Sequence, residues 1–326
     1  MSNYLIGIDE AGYGPSLGPL VVTAVVFETP SPDINLWKCL NKVTSNKPGC
    51  PDKIPVCDSK AIYQPSRGIK PLETAVLSYA LLIPALLSPN SFTIKQFIQK
   101  VHYGDMDRIS HLPWYEKYAG IPIPLKADKN RISELNERLK NECREKSIRF
   151  ARVSCRMIDA DGFNNALEKG NKAELLFDIT AELLTDLCRS YLQPENQLTI
   201  SIGKQGGRTY YQGHIEKVFM SHKIQRIKEK SSCSGYAISA GRENNCIVKF
   251  LKDGEDKEFT IALASMFCKY LRELAMKMFN NFWQEHSPDL KPTAGYYKDS
   301  QRFIREIMPL TTKLGLPTEN FVRLRS

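Results

Sequence analysis

Two adjacent carboxylates, Asp9 and Glu10, stand in the run Ile6-Gly7-Ile8-Asp9-Glu10-Ala11-Gly12-Tyr13-Gly14-Pro15-Ser16-Leu17-Gly18-Pro19. They fall where an apolar stretch gives way to a glycine-rich loop. Paired carboxylate oxygens are hard ligands and suit Mg²⁺ or Mn²⁺. Alternation along a strand starts the two side chains on opposite sides, so both line one site only if the chain turns there, and Gly12 and Gly14 permit that turn. The competing reading is a strand end closed by two acids in a tight turn. A dinucleotide loop fits poorly, because Leu17 stands where the third glycine belongs, Gly18 comes one residue late, and Pro15 lacks a backbone donor. No Lys-Ser/Thr pair follows, which excludes a phosphate loop of the Walker type.

These residues need a scaffold. Tyr4–Asp9 and Pro19–Phe27 read as buried strands joined by the tight loop. A Pro-, Ser- and Lys-rich connection runs from about Thr29 to Pro71, and Leu72–Leu87 reads as a helix. The stretch from Ser91 to Ile123 reads as irregular. Ile132, Leu135, Leu139 and Cys143 recur at helical spacing in a charged background. Phe150–Met157 reads as a strand, and Asn171–Leu192 as a helix with Leu175, Leu176, Ile179, Leu183, Leu187 and Leu192 on its apolar face. Leu198–Ile202 and Ile247–Leu251 read as short strands and Thr260–Phe282 as a long helix. Strands and helices in this order predict an α/β fold around a mixed sheet.

Composition narrows the function classes. The chain has 326 residues, 42% of them hydrophobic, with 45 Lys and Arg against 36 Asp and Glu, a net charge of +9. That is a globular balance with ample length for a core. Residues 201–230 hold seven Lys or Arg against two Glu, which favours a polyanionic partner. No apolar run reaches membrane-spanning length, so no membrane partner is expected. The N-terminus does not read as a secretion signal. The nine cysteines form no Cys-x-x-Cys pair, and they read as reduced thiols of a cytoplasmic protein. The five histidines show no ligand spacing.

The opening motif Asp9-Glu10-Ala11-Gly12-x-Gly14-Pro15, followed by Gly18-Pro19 and a valine-rich strand, resembles the signature of type 2 ribonucleases H, the RNase HII group. Asp58-Ser59-Lys60, then Ile158-Asp159 before an amphipathic helix, then Ala264-Ser265 with Lys269 and Arg272, then Gly295-Tyr296, follow in the family's order. The resemblance runs from residue 4 to about residue 305. It implies one RNase H-like domain over 1–326, a mixed β-sheet flanked by helices, with a family-atypical insertion at about 88–150.

The resemblance also implies a chemistry. Members hydrolyse the RNA strand of RNA–DNA hybrids, or cut at embedded ribonucleotides, with four carboxylates around two divalent metals. One metal lowers the pKa of the attacking water and the other stabilises the leaving oxygen. By resemblance Asp9 is the bridging ligand and Glu10 a flanking one. Counting back from Ser265 by the family spacing lands on Glu255 in Asp253-Gly254-Glu255-Asp256; its plain reading is a solvated acidic turn. The position of the remaining acid is taken by Gly203, which has no side chain to offer a cation, and Glu229 is a substitute by proximity in sequence. Gly12, Tyr13 and Gly14 are expected to meet the ribose through the loop, with Tyr13 where the family usually has a basic residue. Lys60, Lys204, Arg208, Lys269 and Arg272 are expected at phosphates, and Tyr296 against a sugar.

Three readings therefore stand. The first is an endoribonuclease on RNA–DNA hybrids using Mg²⁺ or Mn²⁺, impaired to some degree by Gly203. The second is a catalytically inactive hybrid-binding protein on the same scaffold. The third is a metal-dependent enzyme on a small phosphorylated ligand, against which the basic stretch at 201–230 speaks.

Overall fold

A computed structural model describes residues 2–64, 68–84, 86, 92–104, 111–239 and 245–324. Seven strands form the main sheet: β1 (Asn3–Ala11), β2 (Leu20–Thr29), β3 (Arg149–Ile158), β4 (Gln197–Gly203), β5 (Lys223–Glu229), β6 (Cys233–Ser239) and β7 (Cys246–Leu251). Their spatial order is β3-β2-β1-β4-β7-β6-β5. β1 pairs antiparallel with β2 and parallel with β4, and β4 pairs parallel with β7. β6 runs antiparallel to both β7 and β5. The sheet is mixed, as the α/β reading predicts.

Helices cover both faces. α1 (Lys70–Ala80), α2 (Lys129–Glu145) and α5 (Phe259–His286) lie with one hydrophobic cluster, and α3 (Ala160–Lys169) and α4 (Lys172–Tyr191) with the other. A sixth helix, α6 (Tyr297–Leu314), follows α5. β2 is buried on both faces, and its apolar run reflects that double cover. α5 is apolar almost all round, the composition of a helix enclosed by its neighbours.

Where α5 lies decides where the site can form. A Cβ on Gly7 would meet the Thr260 carbonyl carbon at 2.1 Å. Gly7 thus lets the start of α5 rest directly on β1. From Thr260 to Arg272 the helix rises about 18 Å, and from Gly7 to Gly12 the strand rises about 17 Å. The two elements stay in step: the Ser265 hydroxyl bonds the Asp9 side chain, the Cys268 thiol donates to the Asp9 carbonyl at 3.0 Å, and Arg272 lies beneath Gly12.

Three sequence expectations are corrected. The span expected as irregular holds Phe92–Thr93, paired antiparallel with Pro122–Ile123, and the helices Ile94–Val101 and Pro113–Lys117; Ser91 and residues 105–110 lie outside the described residues. Short elements of this kind leave too few periodic positions to be read. The helix expected over Leu72–Leu87 ends at Ala80. The hairpin of β5 and β6 had no counterpart in the sequence reading, because β5 is largely solvent-exposed and carries no apolar alternation. Within the segment read as an insertion, Phe97, Trp114 and Leu139 enter the same core cluster as α5. The carboxylate of Glu73 on α1 ties this region down. It accepts from the backbone N–H groups of Leu125, Lys126 and Ala127 at 2.6, 2.7 and 2.8 Å and from the Tyr270 hydroxyl at 2.8 Å.

Candidate active site

The end of β1 carries Asp9 and Glu10, both partly buried. The strand does not turn between them: Glu10 still pairs with Val22 and Ala11 with Val21. The turn comes at Gly12, whose φ of +86° lies in the left-handed region and whose Cβ would fall 2.4 Å from the Pro19 carbonyl oxygen. The two carboxylates meet for another reason. In the β1–β4 register Ile8 faces Ile202, so Asp9 comes beside Gly203. A Cβ on Gly203 would lie 2.6 Å from Asp9 Oδ1 and 4.0 Å from Glu10 Oε2. The bare backbone at the end of β4 leaves the space in which both side chains converge.

Glu255 joins them from the turn Gly254–Asp256, between β7 and α5. Burial raises the Asp9 pKa to about 7; the Ser265 hydroxyl opposes that rise, the Glu255 charge adds to it, and Lys60 opposes it. Burial also holds Glu10 well above the usual carboxylate range, with the charges of Asp9 and Glu255 adding and Lys60 opposing. Three acids from two distant parts of the chain therefore share one electrostatic site, with Lys60 beside it. Ser59 Oγ lies 3.1 Å from Ser265 Oγ, which fixes the Asp58-Ser59-Lys60 segment against α5.

The donor set is oxygen only, which suits a hard divalent cation, and its unrelieved repulsion is what such a cation would remove. The fit is one of chemistry: among the described residues no three His, Cys, Asp or Glu side chains stand close enough to hold an ion as they are placed. Glu229 is no substitute. Its side chain is buried and accepts from the backbone N–H groups of Tyr211 and Gln212 at 3.0 and 3.1 Å and from the Tyr236 hydroxyl. Burial would raise its pKa, but these bonds hold it below the ordinary value.

The glycine loop is fastened from inside. Arg323, which the sequence reading did not single out, reaches back from the C-terminal tail. Its guanidinium donates to the carbonyls of Gly12 at 2.5 Å, Pro15 at 3.2 Å and Gly18 at 2.7 Å, and lies 4.4 Å from the Phe163 ring centroid. A lone arginine near a chain end carries no sequence signal for this. The backbone N–H groups of Tyr13 and Gly14 have no partner among the described residues. Nothing lies within 4 Å of a Cβ built on Gly14, so the loop leaves open space there. The Tyr13 hydroxyl lies toward Gly206, and its pKa is raised by burial and by Glu10.

The five expected phosphate contacts divide. Arg272 is buried and donates to the carbonyls of Leu17 at 3.2 Å and Ala294 at 3.0 Å, so it supports the loop from inside. Lys269 pairs with Glu273 at 2.7 Å and lies 4.4 Å from the Tyr63 ring centroid. Arg208 pairs with Glu174 at 2.6 Å. Lys204 donates to the Lys230 carbonyl at 2.7 Å. Lys60 alone of the five is exposed, and it forms no ion pair among the described residues. Tyr296 is 55% exposed beside Arg272, and Asp159 caps α3 through Gly162 N–H at 2.7 Å. All nine cysteines are free, and no helix among the described residues is long and apolar enough to cross a membrane.

No protein-family model matches the chain, and no curated protein matches it. Solved structures do. RNase HII of Archaeoglobus fulgidus, solved in complex with PCNA, is similar over 98% of this chain and 94% of its own, at 15% identity and a TM-score of 0.41. Ribonuclease H2 from Pyrococcus horikoshii OT3 is similar over 98% and 92%, at 13% identity and a TM-score of 0.40. Bst-RNase HIII in complex with Mn²⁺ is similar over 100% and 67%, at 14% identity and a TM-score of 0.41.

Proposed function

We propose that the chain is an endoribonuclease of the type 2 ribonuclease H kind, cutting the RNA strand of RNA–DNA hybrids or at embedded ribonucleotides. The observation that carries this reading is the convergence of Asp9 and Glu10 at Gly203, within electrostatic reach of Glu255, beside a glycine loop whose Tyr13 and Gly14 N–H groups have no partner among the described residues. Asp9, Glu10 and Glu255 would hold Mg²⁺ or Mn²⁺. Two such ions, when bound, supply a lowered pKa for the attacking water and charge stabilisation for the leaving oxygen. The Ser265 hydroxyl orients the Asp9 carboxylate, and Lys60 offsets part of the acids' charge. The N–H groups of Tyr13 and Gly14, unpartnered among the described residues, are donors for a ribose hydroxyl, and Tyr296 offers an exposed ring for a sugar. Attack by water leaves a 5′-phosphate and a 3′-hydroxyl.

The test is incubation of the chain with an end-labelled RNA–DNA hybrid and Mg²⁺ or Mn²⁺. Cleavage with 5′-phosphate product ends supports the reading. Gly203 favours a second one, a hybrid-binding protein without catalysis, since the end of β4 offers no carboxylate. Salt-sensitive binding without cleavage at any metal concentration decides for it, and absence of binding removes both.

A further inference from the structure

Four of the five cations expected at phosphates are engaged inside the protein, which leaves the question of what would grip a polyanion. A cluster of exposed positive charge lies on the outer hairpin. β5 carries Lys223, Arg226 and Lys228, and the turn to β6 opens with Lys230; all four are exposed. The acid on this strand, Glu229, is buried and held by Tyr211, Gln212 and Tyr236. Lys228 and Lys230 form no ion pair among the described residues, and Arg226 reaches Glu229 only at 3.5 Å.

The turn lies at the same end of the sheet as the acids. β6 is antiparallel to β7 and β5 antiparallel to β6, so β5 points the same way as β7, β4 and β1. Lys204, just past Gly203, bonds the Lys230 carbonyl, and the backbone N–H of Lys252 bonds the Ser232 carbonyl at 3.0 Å. Lys252 is exposed as well. The turn is three to four strand spacings from β1, roughly 14–19 Å. That is about four to six base pairs of a duplex.

We propose that the turn of this outer hairpin, with Lys228, Lys230 and Lys252, binds the phosphate backbone of a nucleic-acid duplex about half a helical turn away from the acid cluster. The proposal rests on the nucleic-acid reading above and adds the surface that supplies its affinity. Contacts of this kind position a duplex without reading its sequence.

The experiment measures hybrid binding by fluorescence anisotropy over a salt series in metal-free buffer. It compares the full chain, Lys228→Gln/Lys230→Gln/Lys252→Gln, and a charge-matched control, Lys129→Gln/Lys140→Gln/Lys146→Gln, on exposed positions of α2 and its end. The expected result is at least a tenfold loss of affinity for the hairpin variant, with the log–log salt slope shallower by about 2 to 3, and a loss under twofold for the control. Equal affinity and slope for parent and hairpin variant overturns the proposal, as does equal weakening of both variants. Self-association of the hairpin variant with unchanged binding would make the lysines guards of the strand edge and overturn it too. If the parent binds no hybrid, the nucleic-acid reading itself fails.

Discussion

A Cβ on Gly203 would lie 2.6 Å from Asp9 Oδ1. The end of β4 is therefore not an empty ligand position; the Asp9 carboxylate leans into it. An acid at 203 must push Asp9 aside and add a fourth negative charge to a partly buried cluster. We expect Gly203→Asp to melt below the parent in metal-free buffer and to regain stability with Mn²⁺ or Mg²⁺. With metal it should cleave hybrid faster, by about 10–100-fold, the scale of a ligand-shell change. A variant whose melting ignores metal and whose cleavage does not exceed the parent's would sink this account of Gly203.

Asp9 faces repulsion from Glu255 and Glu10 while Ser265 holds it. Asp9→Asn keeps the hydrogen bond and removes the charge. It should abolish cleavage and melt above the parent without metal. Retained cleavage would remove Asp9 from the site.

Gly12 and Gly14 should respond differently to the same methyl group. Gly12→Ala meets the Pro19 carbonyl and a positive φ, and should melt lower. Gly14→Ala meets nothing inside the protein and should melt with the parent, yet weaken hybrid binding where ligand approaches the loop. Unchanged binding by a folded Gly14→Ala would place the ligand elsewhere.

Arg323 holds three loop carbonyls that no neighbouring donor replaces among the described residues. Arg323→Met should speed amide exchange at Ser16 and Leu17, whose N–H groups bond the Gly295 carbonyl, while exchange in β1 and β2 stays near that of the parent. Exchange no faster in the loop would deny the tail this role.

Glu73 accepts four hydrogen bonds in a fully buried position. Glu73→Ala leaves those donors stranded, and should cost at least about 3 kcal/mol in urea unfolding. A loss under about 1 kcal/mol would mean that water or a shifted side chain takes over.

How much of this was legible beforehand divides by range. Local patterns carried the long elements: the valine run of β2, the apolar length of α5 and the acids at a strand end are written in neighbouring residues, and hydrophobic burial enforces them whatever lies far away. Glu255 was reachable only by spacing from Ser265, a resemblance and not a local signal. Which charges are free was not legible, because pairing depends on partners brought together by folding. Arg272 and Lys204 looked like ligands-in-waiting and are spent on carbonyls, while Lys228 and Lys230 lie in and just after a strand whose pattern gave no sign of one.

The amino-acid order by itself thus determined the sheet's core strands, the site helix and the acid pair, since propensity and burial act residue by residue. Only the tertiary structure decided that Asp9 and Glu10 converge beside a side-chain-free Gly203, that Arg323 holds the glycine loop, and that a cluster of exposed lysines lies at the turn of the outer hairpin. Close approach and charge neutralisation are properties of pairs, and pairs distant in sequence exist only once the chain has folded.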